Sequence, residues 1–432
     1  MLKLVIIGGG SSYTPELIEG VIRHHSSLPV TDIVLADVEA GKEKLDIIEA
    51  FAGRMLSHAG LNISLSATLE RREALKDADF VITQIRVGGL SARARDERLP
   101  LKHGMIGQET TGIGGCMKAL RTIPVILDIC RDMEELCPGA FLINFTNPSG
   151  IVTEAVLKQT KIKCIGLCNC SINMHHDAAE RLKVPADDLD CRFIGLNHLS
   201  VMNHAYHNGE DRIGEVLKVF NSDGVVQNIE KDQEMDRLAL MFGCMLSPYL
   251  QYFYMEKHML SEELAQAVGL SGTRADQVLR VEKKLFEKYR DPGLNEKPEE
   301  LSKRGGARYS EAAINLIDSI YNDRNDVQVV DVQNNVNIPI LPEDAVIETS
   351  CRIGRKGAKP LSCGPLPDFL SGLVLQVKNY ERLTIRAAIT GDRETAFQAF
   401  LLNPLVHDAK EAKAALDEML EANKNELPLF FK

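Results

Sequence analysis

The sequence of 432 residues contains no tryptophan, and aromatic residues make up only 5% of it. The absence of Trp excludes a binding site that stacks its ligand on an indole ring. Nothing approaches the run of about 18 apolar residues that a membrane-spanning helix needs. The N-terminal run MLKLVIIGGG is apolar too briefly for a signal peptide and has no cleavage site. We therefore expect neither a membrane span nor a secretion signal.

An excess of positive charge is also missing. The chain carries 50 Lys and Arg against 61 Asp and Glu, a formal net charge of −11, whereas a nucleic-acid surface needs basic patches that release counterions. The ten cysteines are irregularly spaced, and without a secretion signal they indicate free thiols in a reducing compartment. These features predict a cytoplasmic protein that binds neither nucleic acid nor a membrane.

Apolar strands that alternate with amphipathic helices fill the first 195 residues. The predicted strands are Leu2–Ile7, Asp32–Asp37, Asn62–Ala67, Phe80–Ile85, Ala140–Thr146, Lys161–Leu167 and Asp190–Gly195. This alternation predicts an α/β fold with a doubly wound parallel sheet, covered by helices on both faces. Beyond residue 195, helical stretches, the first at Gln227–Phe242, flank a β-rich patch at Val327–Ile353. We expect two domains, residues 1–195 and an α+β domain at residues 196–432.

A glycine-rich turn follows the first predicted strand, and it reads Gly8-Gly9-Gly10-Ser11-Ser12-Tyr13. Glycines let a backbone approach a pyrophosphate, and the next helix, predicted to have Thr14 as its cap, offers free N–H groups. Asp37 ends the second strand, where a carboxylate accepts hydrogen bonds from a ribose diol and favours NAD over NADP. The pattern predicts a Rossmann-type NAD-binding domain at residues 1–195. The residues expected to bind the cofactor are Gly8, Gly10, Ser11, Ser12 and Asp37.

A long polar segment, Arg86–Gly115, follows the fourth predicted strand. We interpret it as a connection at the carboxyl edge of the sheet, where open α/β folds bind ligands. Its arginines, which could hold an anion or carboxylate bidentately, are Arg93, Arg95 and Arg98. The alternative is that they pair at the surface with Asp96 and Glu97.

Two further polar segments follow later strands. Asn147 precedes a proline, which holds it extended with its amide free to bond hydroxyl groups. Cys168 and His198 follow two successive strands, so a thiolate and an imidazole could share one divalent ion and leave positions for substrate oxygens. The alternative for this pair is a buried thiol and a core or capping histidine.

These segments together resemble glycoside hydrolase family 4, the NAD- and metal-dependent 6-phospho-glycosidases, which do not use two carboxylates for hydrolysis. The matching motifs are GGGSSYTPEL, the Arg-Asp-Glu stretch at Ala94–Glu97, GQETTGIGG at Gly107–Gly115, ALRTIP, INFTNP, CNC, GLNH and PYLQYFY. Tyr13, where other dinucleotide-binding turns have a third glycine, is expected in this family. The branch that the sequence resembles most is the 6-phospho-β-glucosidases.

The resemblance implies roles for individual residues. Cys168 and His198 match the metal ligands, with manganese as the usual ion. Tyr249 matches the catalytic base, with Tyr252 and Tyr254 as neighbours that could take its place. The residues that match substrate contacts are Arg95, Asn147, Asn169 and Arg274. Because α-specific relatives carry an aspartate, proposed as the general acid, where Asn169 stands, this amide favours the β branch and leaves the acid unidentified.

The resemblance also implies a mechanism and a substrate. Oxidation of the C3 hydroxyl by NAD⁺ would make the C2 hydrogen acidic, Tyr249 would remove it, the aglycone would leave by elimination and water would add. The expected substrate is a phosphorylated disaccharide, such as cellobiose 6-phosphate, or an aryl glycoside. Residues 196–432 would then hold substrate and metal, resemble the second domain of lactate and malate dehydrogenases, and join a homodimer or homotetramer.

Two other functions are compatible with parts of this pattern. A Rossmann-type domain with arginines and His198 would also suit a malate-type 2-hydroxyacid dehydrogenase, which predicts net NADH production without a metal. A non-catalytic NAD-sensing module would bind NAD and catalyse nothing.

Overall fold

The computed structural model describes residues 2–219, 229, 232–304 and 308–432. The strands are β1 (Lys3–Ile7), β2 (Asp32–Ala36), β3 (Ser64–Thr68), β4 (Phe80–Thr83), β5 (Phe141–Asn144), β6 (Lys163–Gly166), β7 (Leu189–Leu196), β8 (Leu199–His207), β9 (Glu210–Asp211), β10 (Met245–Leu246), β11 (Asp326–Gln333), β12 (Val346–Gly354) and β13 (Gly357–Pro360). The helices of the first half are α1 (Thr14–His24), α2 (Lys42–His58), α3 (Arg71–Leu75), α4 (Gly89–Lys102), α5 (Gly112–Leu136), α6 (Ser149–Gln159) and α7 (Asn169–Leu182). Those of the second half are α8 (Ile213–Val216), α9 (Gln233–Phe242), α10 (Gln251–Tyr254), α11 (Glu256–Val268), α12 (Arg274–Tyr289), α13 (Tyr309–Asn322), α14 (Asp368–Thr390), α15 (Arg393–Leu402) and α16 (Ala409–Ala422).

The first six strands form the predicted parallel sheet. Their order is β3-β2-β1-β4-β5-β6, with parallel pairing between all neighbours. This is the Rossmann order, whose reversal point at β1 and β4 opens a crevice at the carboxyl ends of the strands. Alternate residues of β1 enter two hydrophobic cores, with Val5 and Ile7 in one and Leu4 and Ile6 in the other. The α/β fold class is therefore confirmed.

The seventh predicted strand was wrongly placed in the parallel set. β7 pairs antiparallel with both β8 and β12. The physical reason is that only Asn197 and His198 separate β7 from β8, and a two-residue turn can join only antiparallel strands. The sheet then continues past β6 through β11, β12, β7, β8 and β10. One sheet thus spans both halves of the chain.

The segment Arg86–Gly115, interpreted as a long connection, is mostly helical. α4 covers Gly89–Lys102 and α5 begins at Gly112. Ion pairs satisfy the charges that made the segment look exposed, as in the buried Arg121–Asp96 pair, whose closest atoms are 2.5 Å apart. Two expectations about the residues at which helices begin also need correction.

Thr14 does not cap α1. The cap position belongs to Tyr13, and the Thr14 hydroxyl instead donates to the Gly9 carbonyl at 2.8 Å, inside the glycine turn. The helix predicted at Gln227–Phe242 begins at Gln233 in the structure. Residues 227, 228, 230 and 231 of that prediction lie outside the described residues. No helix within the described ranges is both long enough and apolar enough to cross a membrane.

A buried ion cluster joins the two halves of the chain. Glu154 on α6 accepts from Lys378 Nζ of α14 at 2.8 Å and from the backbone N–H of Val346 in β12 at 2.9 Å. Lys158 Nζ lies 2.8 Å from its other oxygen. Burial alone would raise the pKa of Glu154, but Lys378 and Lys158 outweigh it and lower this pKa to about 2. The two sequence-defined halves therefore share electrostatic contacts as well as a sheet.

We expect Glu154→Gln to lower the free energy of unfolding at pH 7 by about 3 kcal/mol. Because the pKa is depressed in the folded state, this contribution exists above the unfolded pKa near 4.5 and disappears as the pH falls towards 2. Urea unfolding at pH 7 and at pH 3 should show the wild-type advantage shrinking at the lower pH. Asp46→Asn, in the exposed pair with Lys42, is the control and should cost much less, because solvent screens an exposed ion pair. Equal losses of unfolding free energy in the two variants would contradict a stabilising role for the buried Glu154 cluster.

Candidate active site

A cavity of about 1010 Å³ opens at the carboxyl ends of the parallel strands. It is long enough to run from the glycine turn after β1, past the ends of β4, β5 and β6, to the second half of the chain. That half contributes five lining residues with chemistry, namely His198, Tyr249, Arg274, Glu282 and Arg304. The volume exceeds that of a typical site for one small ligand and suits a dinucleotide beside a second molecule.

Positive charge concentrates in this cavity although the whole chain is acidic. Among the described lining residues, eight are Lys or Arg and four are Asp or Glu, against a net charge of −11 for the chain. A concave surface with an excess of cations raises the local concentration of anions. The cavity therefore suits phosphorylated ligands.

The glycine turn has the geometry that a dinucleotide site requires. Gly8 has φ +87°, which favours glycine, and a Cβ on Gly10 would lie 2.9 Å from Asp37 Oδ2. The Gly10 N–H donates to that same oxygen at 2.8 Å, so Asp37 holds the turn against the end of β2. The predicted cofactor residues that line the cavity are Gly8, Gly10, Ser11 and Asp37. Ser12 is the exception, because its side chain is buried away from the cavity with its hydroxyl 3.4 Å from Glu282 Oε2.

Two buried amide oxygens at the cavity wall have no hydrogen-bond partner among the described residues. They are Gln84 Oε1, after β4, and Asn147 Oδ1, after β5. The amide nitrogen of Gln84 is already used by the Gly8 carbonyl and the Thr14 hydroxyl. A buried acceptor without a partner is costly, so these oxygens fit the hydroxyl or amide groups of a bound NAD and sugar. Gln84 was missed because a single glutamine after a strand carries no distinctive sequence pattern.

Cys168 and His198 are in contact at the cavity wall. Cys168 Sγ lies 3.3 Å from His198 Nε2, and the ring of Tyr249 stacks on His198 with centroids 3.7 Å apart and planes 3° from parallel. Two ligands at right angles on one ion, at about 2.3 Å for sulfur and 2.1 Å for nitrogen, are about 3.1 Å apart, so the pair fits a shared divalent metal. No cluster of three or more His, Cys, Asp or Glu side chains suited to a metal occurs in the described part of the chain. An ion held by these two side chains alone would have further coordination positions for substrate oxygens.

Burial sets the protonation of both candidate ligands. Burial, assisted by the nearby Lys118, lowers the pKa of His198 to about 3, so the imidazole is neutral and its lone pair is available. Burial and the charge of Glu348 raise the pKa of the Cys168 thiol to about 12. A cation is what would convert this thiol to a thiolate, and a divalent ion bound to it supplies that charge.

A cluster around Glu109 is the main feature that the sequence analysis did not assign. Glu109 pairs with Arg86, with Arg93 at 2.9 Å and with Lys118 at 2.9 Å. Burial opposes ionisation, but these three cations hold the pKa of Glu109 well below its usual range. Burial, with Arg86, lowers the pKa of Lys118 to about 7. A lone lysine in the apolar run of α5 was the available signal.

Arg95 does not line the cavity, which corrects its prediction as a substrate contact. Its guanidinium donates to Asn423 Oδ1 at 2.9 Å and to Glu426 Oε1 at 3.0 Å. Residues two apart on a helix lie on nearly opposite faces, and it is Arg93 that faces the cavity. Both arginines belong to α4, a helix that the sequence interpretation did not include, and the helix directs their side chains to different sides.

The remaining predicted residues reach the cavity. Arg274 and Asn169 line it, and Arg274 donates to the Arg304 carbonyl at 3.2 Å. The guanidinium of Arg304, itself at the wall, sits 4.3 Å from the centroid of the Tyr13 ring. Of the three tyrosines considered, Tyr249 is the one at the wall. Burial raises the pKa of Tyr252 well above its usual value, so almost none of this side chain is in the phenolate form that could accept a proton.

Comparison with known proteins identifies the relatives of this chain. The family 4 glycosyl hydrolase profile matches residues 3–184, and the profile of the family's C-terminal domain matches residues 193–406. A probable 6-phospho-beta-glucosidase of Bacillus subtilis is 48% identical over 434 residues, covering 100% of this chain and 98% of its own. The 6-phospho-beta-glucosidase of Escherichia coli is 45% identical, covering 99% of this chain and 97% of its own.

Solved structures agree with the sequence comparison. The Thermotoga maritima 6-phospho-beta glucosidase, solved with manganese, NAD+ and glucose-6-phosphate, superposes with a TM-score of 0.89 at 34% identity and covers 99% of each chain. Malate dehydrogenase of Plasmodium falciparum superposes with a TM-score of 0.53 at 17% identity, covering 93% of this chain and 100% of its own, which confirms the expected likeness of fold. Both family profiles and the full-length identities lead to one conclusion. The chain belongs to the family 4 glycosyl hydrolases.

Proposed function

We propose that this protein hydrolyses 6-phospho-β-glucosides, such as cellobiose 6-phosphate or aryl analogues, with NAD and a divalent metal ion as cofactors. Manganese is the expected ion. The observation that carries the proposal is full-length identity of 48% and 45% to two relatives named for this activity. The contact of Cys168 with His198, with Tyr249 stacked beside it, supports it from the geometry.

The cofactors would supply the chemistry that side chains cannot. Bound NAD⁺ would supply a hydride acceptor for the C3 hydroxyl and return the hydride at the end of each turnover. A divalent ion held by Cys168 and His198 would supply Lewis-acid stabilisation of charge at the C2 and C3 oxygens. The glycine turn and Asp37 would hold the nucleotide, and the free oxygens of Gln84 and Asn147 would accept its hydrogen bonds or those of the sugar.

Tyr249 would act on the substrate as the base that takes the C2 proton. Its ring is held against His198 and is mostly buried, so the phenol oxygen has few alternative positions. Once C2 loses its proton, the aglycone leaves by elimination and water adds at C1. Asn169, at the start of α7 beside Cys168, would contact the sugar, and its amide is consistent with β specificity.

The phosphate of the substrate would be bound by arginines from both halves of the chain. Arg93, Arg274 and Arg304 all line the cavity, and guanidinium groups bind phosphate oxygens bidentately. A phosphorylated sugar is made inside cells, which agrees with ten free, buried cysteines and supports a cytoplasmic location. Exposed apolar side chains at Val268, the last residue of α11, and at Leu270, which follows that helix, support assembly as a homodimer or homotetramer.

The substrate class can be tested with p-nitrophenyl 6-phospho-β-glucoside, its α-anomer and the unphosphorylated β-glucoside. We expect cleavage of the phosphorylated β-anomer alone, dependent on added NAD⁺ and Mn²⁺, without net NADH. Full activity of cofactor-stripped protein would overturn the proposal. Net NADH from a 2-hydroxyacid would indicate the malate-type alternative instead.

We expect Tyr249→Phe to lower turnover by about 10²–10⁴-fold, the usual contribution of a positioned acid or base. NAD⁺ and Mn²⁺ affinities should remain near those of the wild type, because the phenyl ring can still stack on His198. In the wild type, a substrate deuterated at C2 should show a primary isotope effect or exchange with solvent. Persistence of that exchange in Tyr249→Phe would assign the base to another residue. Tyr254→Phe, at a more exposed ring outside the cavity, is the matched control.

The structure distinguishes two arginines that are two residues apart. We expect Arg93→Lys to raise the KM for the phosphorylated substrate by about 10–100-fold, because an ammonium cannot replace bidentate contacts to phosphate. Lysine keeps the charge that Glu109 needs. Arg95→Lys, whose partners lie near the C-terminus, should change the KM by less than about 2-fold. Steady-state kinetics with NAD⁺ saturating measure both, and the reverse order of effects would restore Arg95 as the contact.

A further inference from the structure

A carboxylate beneath the site connects the two segments that carry Cys168 and His198. Glu348 lies in β12 and is buried. One of its oxygens accepts from Ser171 Oγ at 2.7 Å and from Ser200 Oγ at 2.6 Å, and the other accepts from Asn197 Nδ2 at 3.0 Å. Ser171 belongs to the first turn of α7, which Cys168 caps. Asn197 precedes His198 in the β7–β8 turn, and Ser200 is the second residue of β8.

The strands that lead to these two segments are not neighbours in the sheet. β11 and β12 lie between β6, which precedes Cys168, and β7, which precedes His198. The separation of the two segments therefore depends on what bridges the intervening strands. Glu348 is on one of those strands, and its backbone pairs with Gly195 of β7.

The β7–β8 turn holds His198 in a conformation that needs support. His198 has φ +66°, in the left-handed region that residues other than glycine seldom adopt. Gly195 before it is equally constrained, since a Cβ there would lie 2.4 Å from the Leu199 carbonyl oxygen. Hydrogen bonds from Asn197 and Ser200 to one carboxylate fix the residues on both sides of His198.

Stability alone does not account for this carboxylate. Burial raises the pKa of Glu348, and Asp331 lies directly opposite it in the antiparallel β11–β12 pair. Burial, together with the charge of Glu348, raises the pKa of Asp331 well above its usual value. Two facing carboxyl groups in a core are unfavourable, and such costs are typical of functional positions.

We propose that Glu348 is a positioning residue for the metal site: its three hydrogen bonds set the distance between the Cys168 thiol and the His198 imidazole. Hydrogen bonds to metal ligands orient them and contribute to metal affinity; Glu348 acts one step further out, on residues next to the two ligands. The proposal rests on the metal assignment made under the proposed function. Glu348 acts as a hydrogen-bond acceptor, so the site requires a side chain with an acceptor oxygen at this position.

The test measures Mn²⁺ affinity of the full-length protein in saturating NAD⁺, by calorimetric titration. Glu348→Met keeps the size of the side chain and removes the acceptors, and we expect Mn²⁺ affinity to fall by about 10–100-fold with NAD⁺ affinity unchanged. Glu348→Gln keeps an oxygen for both serines and should restore most of the affinity. In Co²⁺-loaded protein, the sulfur-to-metal charge-transfer absorption should weaken in Glu348→Met and persist in Glu348→Gln.

Milder variants keep the test decisive if Glu348→Met does not fold. Ser171→Ala and Ser200→Ala each remove one hydrogen bond and should lower Mn²⁺ affinity by about 2–10-fold. Ser350→Ala is the matched control, because this buried serine of the same strand donates to the Cys191 carbonyl of β7 at 2.9 Å and touches neither segment. It should bind Mn²⁺ as the wild type does.

Cys168→Ser distinguishes a wrong metal assignment from a wrong role for Glu348. If Cys168→Ser binds Mn²⁺ like the wild type, the metal assignment itself is wrong, and the role of Glu348 falls with it. If Cys168→Ser loses Mn²⁺ while the Glu348 and serine variants bind normally, only the positioning role is overturned. Loss in Cys168→Ser together with graded losses in the Glu348 and serine variants supports both.

Discussion

The contact between Cys168 and His198 depends on the sheet being continuous across both halves of the chain. Cys168 follows the last parallel strand, and His198 sits in a hairpin that the sheet reaches only through β11 and β12. Any change in how those two strands pair would move the imidazole relative to the thiol by ångströms, which is enough to lose a shared ion. The Glu154 cluster, which joins α6 to α14 and β12, holds the first residue of β12 in place. Packing far from the cavity therefore sets the chemistry inside it.

Charge in this protein is organised by burial. The surface gives the chain its net charge of −11, whereas the cavity wall carries more cations than carboxylates. The arginines and Lys118 avoid the cost of isolated burial because Glu109 pairs with three of them. Arg274 and Arg304, which also line the cavity, are held by contacts within the protein. An anionic ligand can therefore bind without reorganising the site.

The sequence predicted what local pattern determines. Parallel strands buried on both faces are apolar runs, and all six parallel strands, including the more exposed β3, were located to within a few residues. Asn147, Cys168 and His198 follow strand ends that converge on the cavity. What it could not predict depends on distant partners. The charges of α4 look exposed until their pairing with α5 and α16 is known, and about half a helical turn decides whether Arg93 or Arg95 reaches the cavity. Glu348 has no local signal, because its partners are about 150 and 180 residues away.

The carboxylates of the cavity argue separately against direct displacement. A hydrolase that uses two carboxylates needs one acid whose pKa is raised so that it can protonate the leaving group. Glu109 is held ionised by Arg86, Arg93 and Lys118. Burial favours protonation of Glu282, but Arg304 and Lys44 outweigh it and lower its pKa. Asp37 is bound to the Gly10 N–H at the nucleotide end, and Glu70 lies at that end after β3. Within the described cavity wall, neither Glu109 nor Glu282 is therefore suited to be the donor, which favours the proposed route, in which the sugar first acquires an acidic hydrogen.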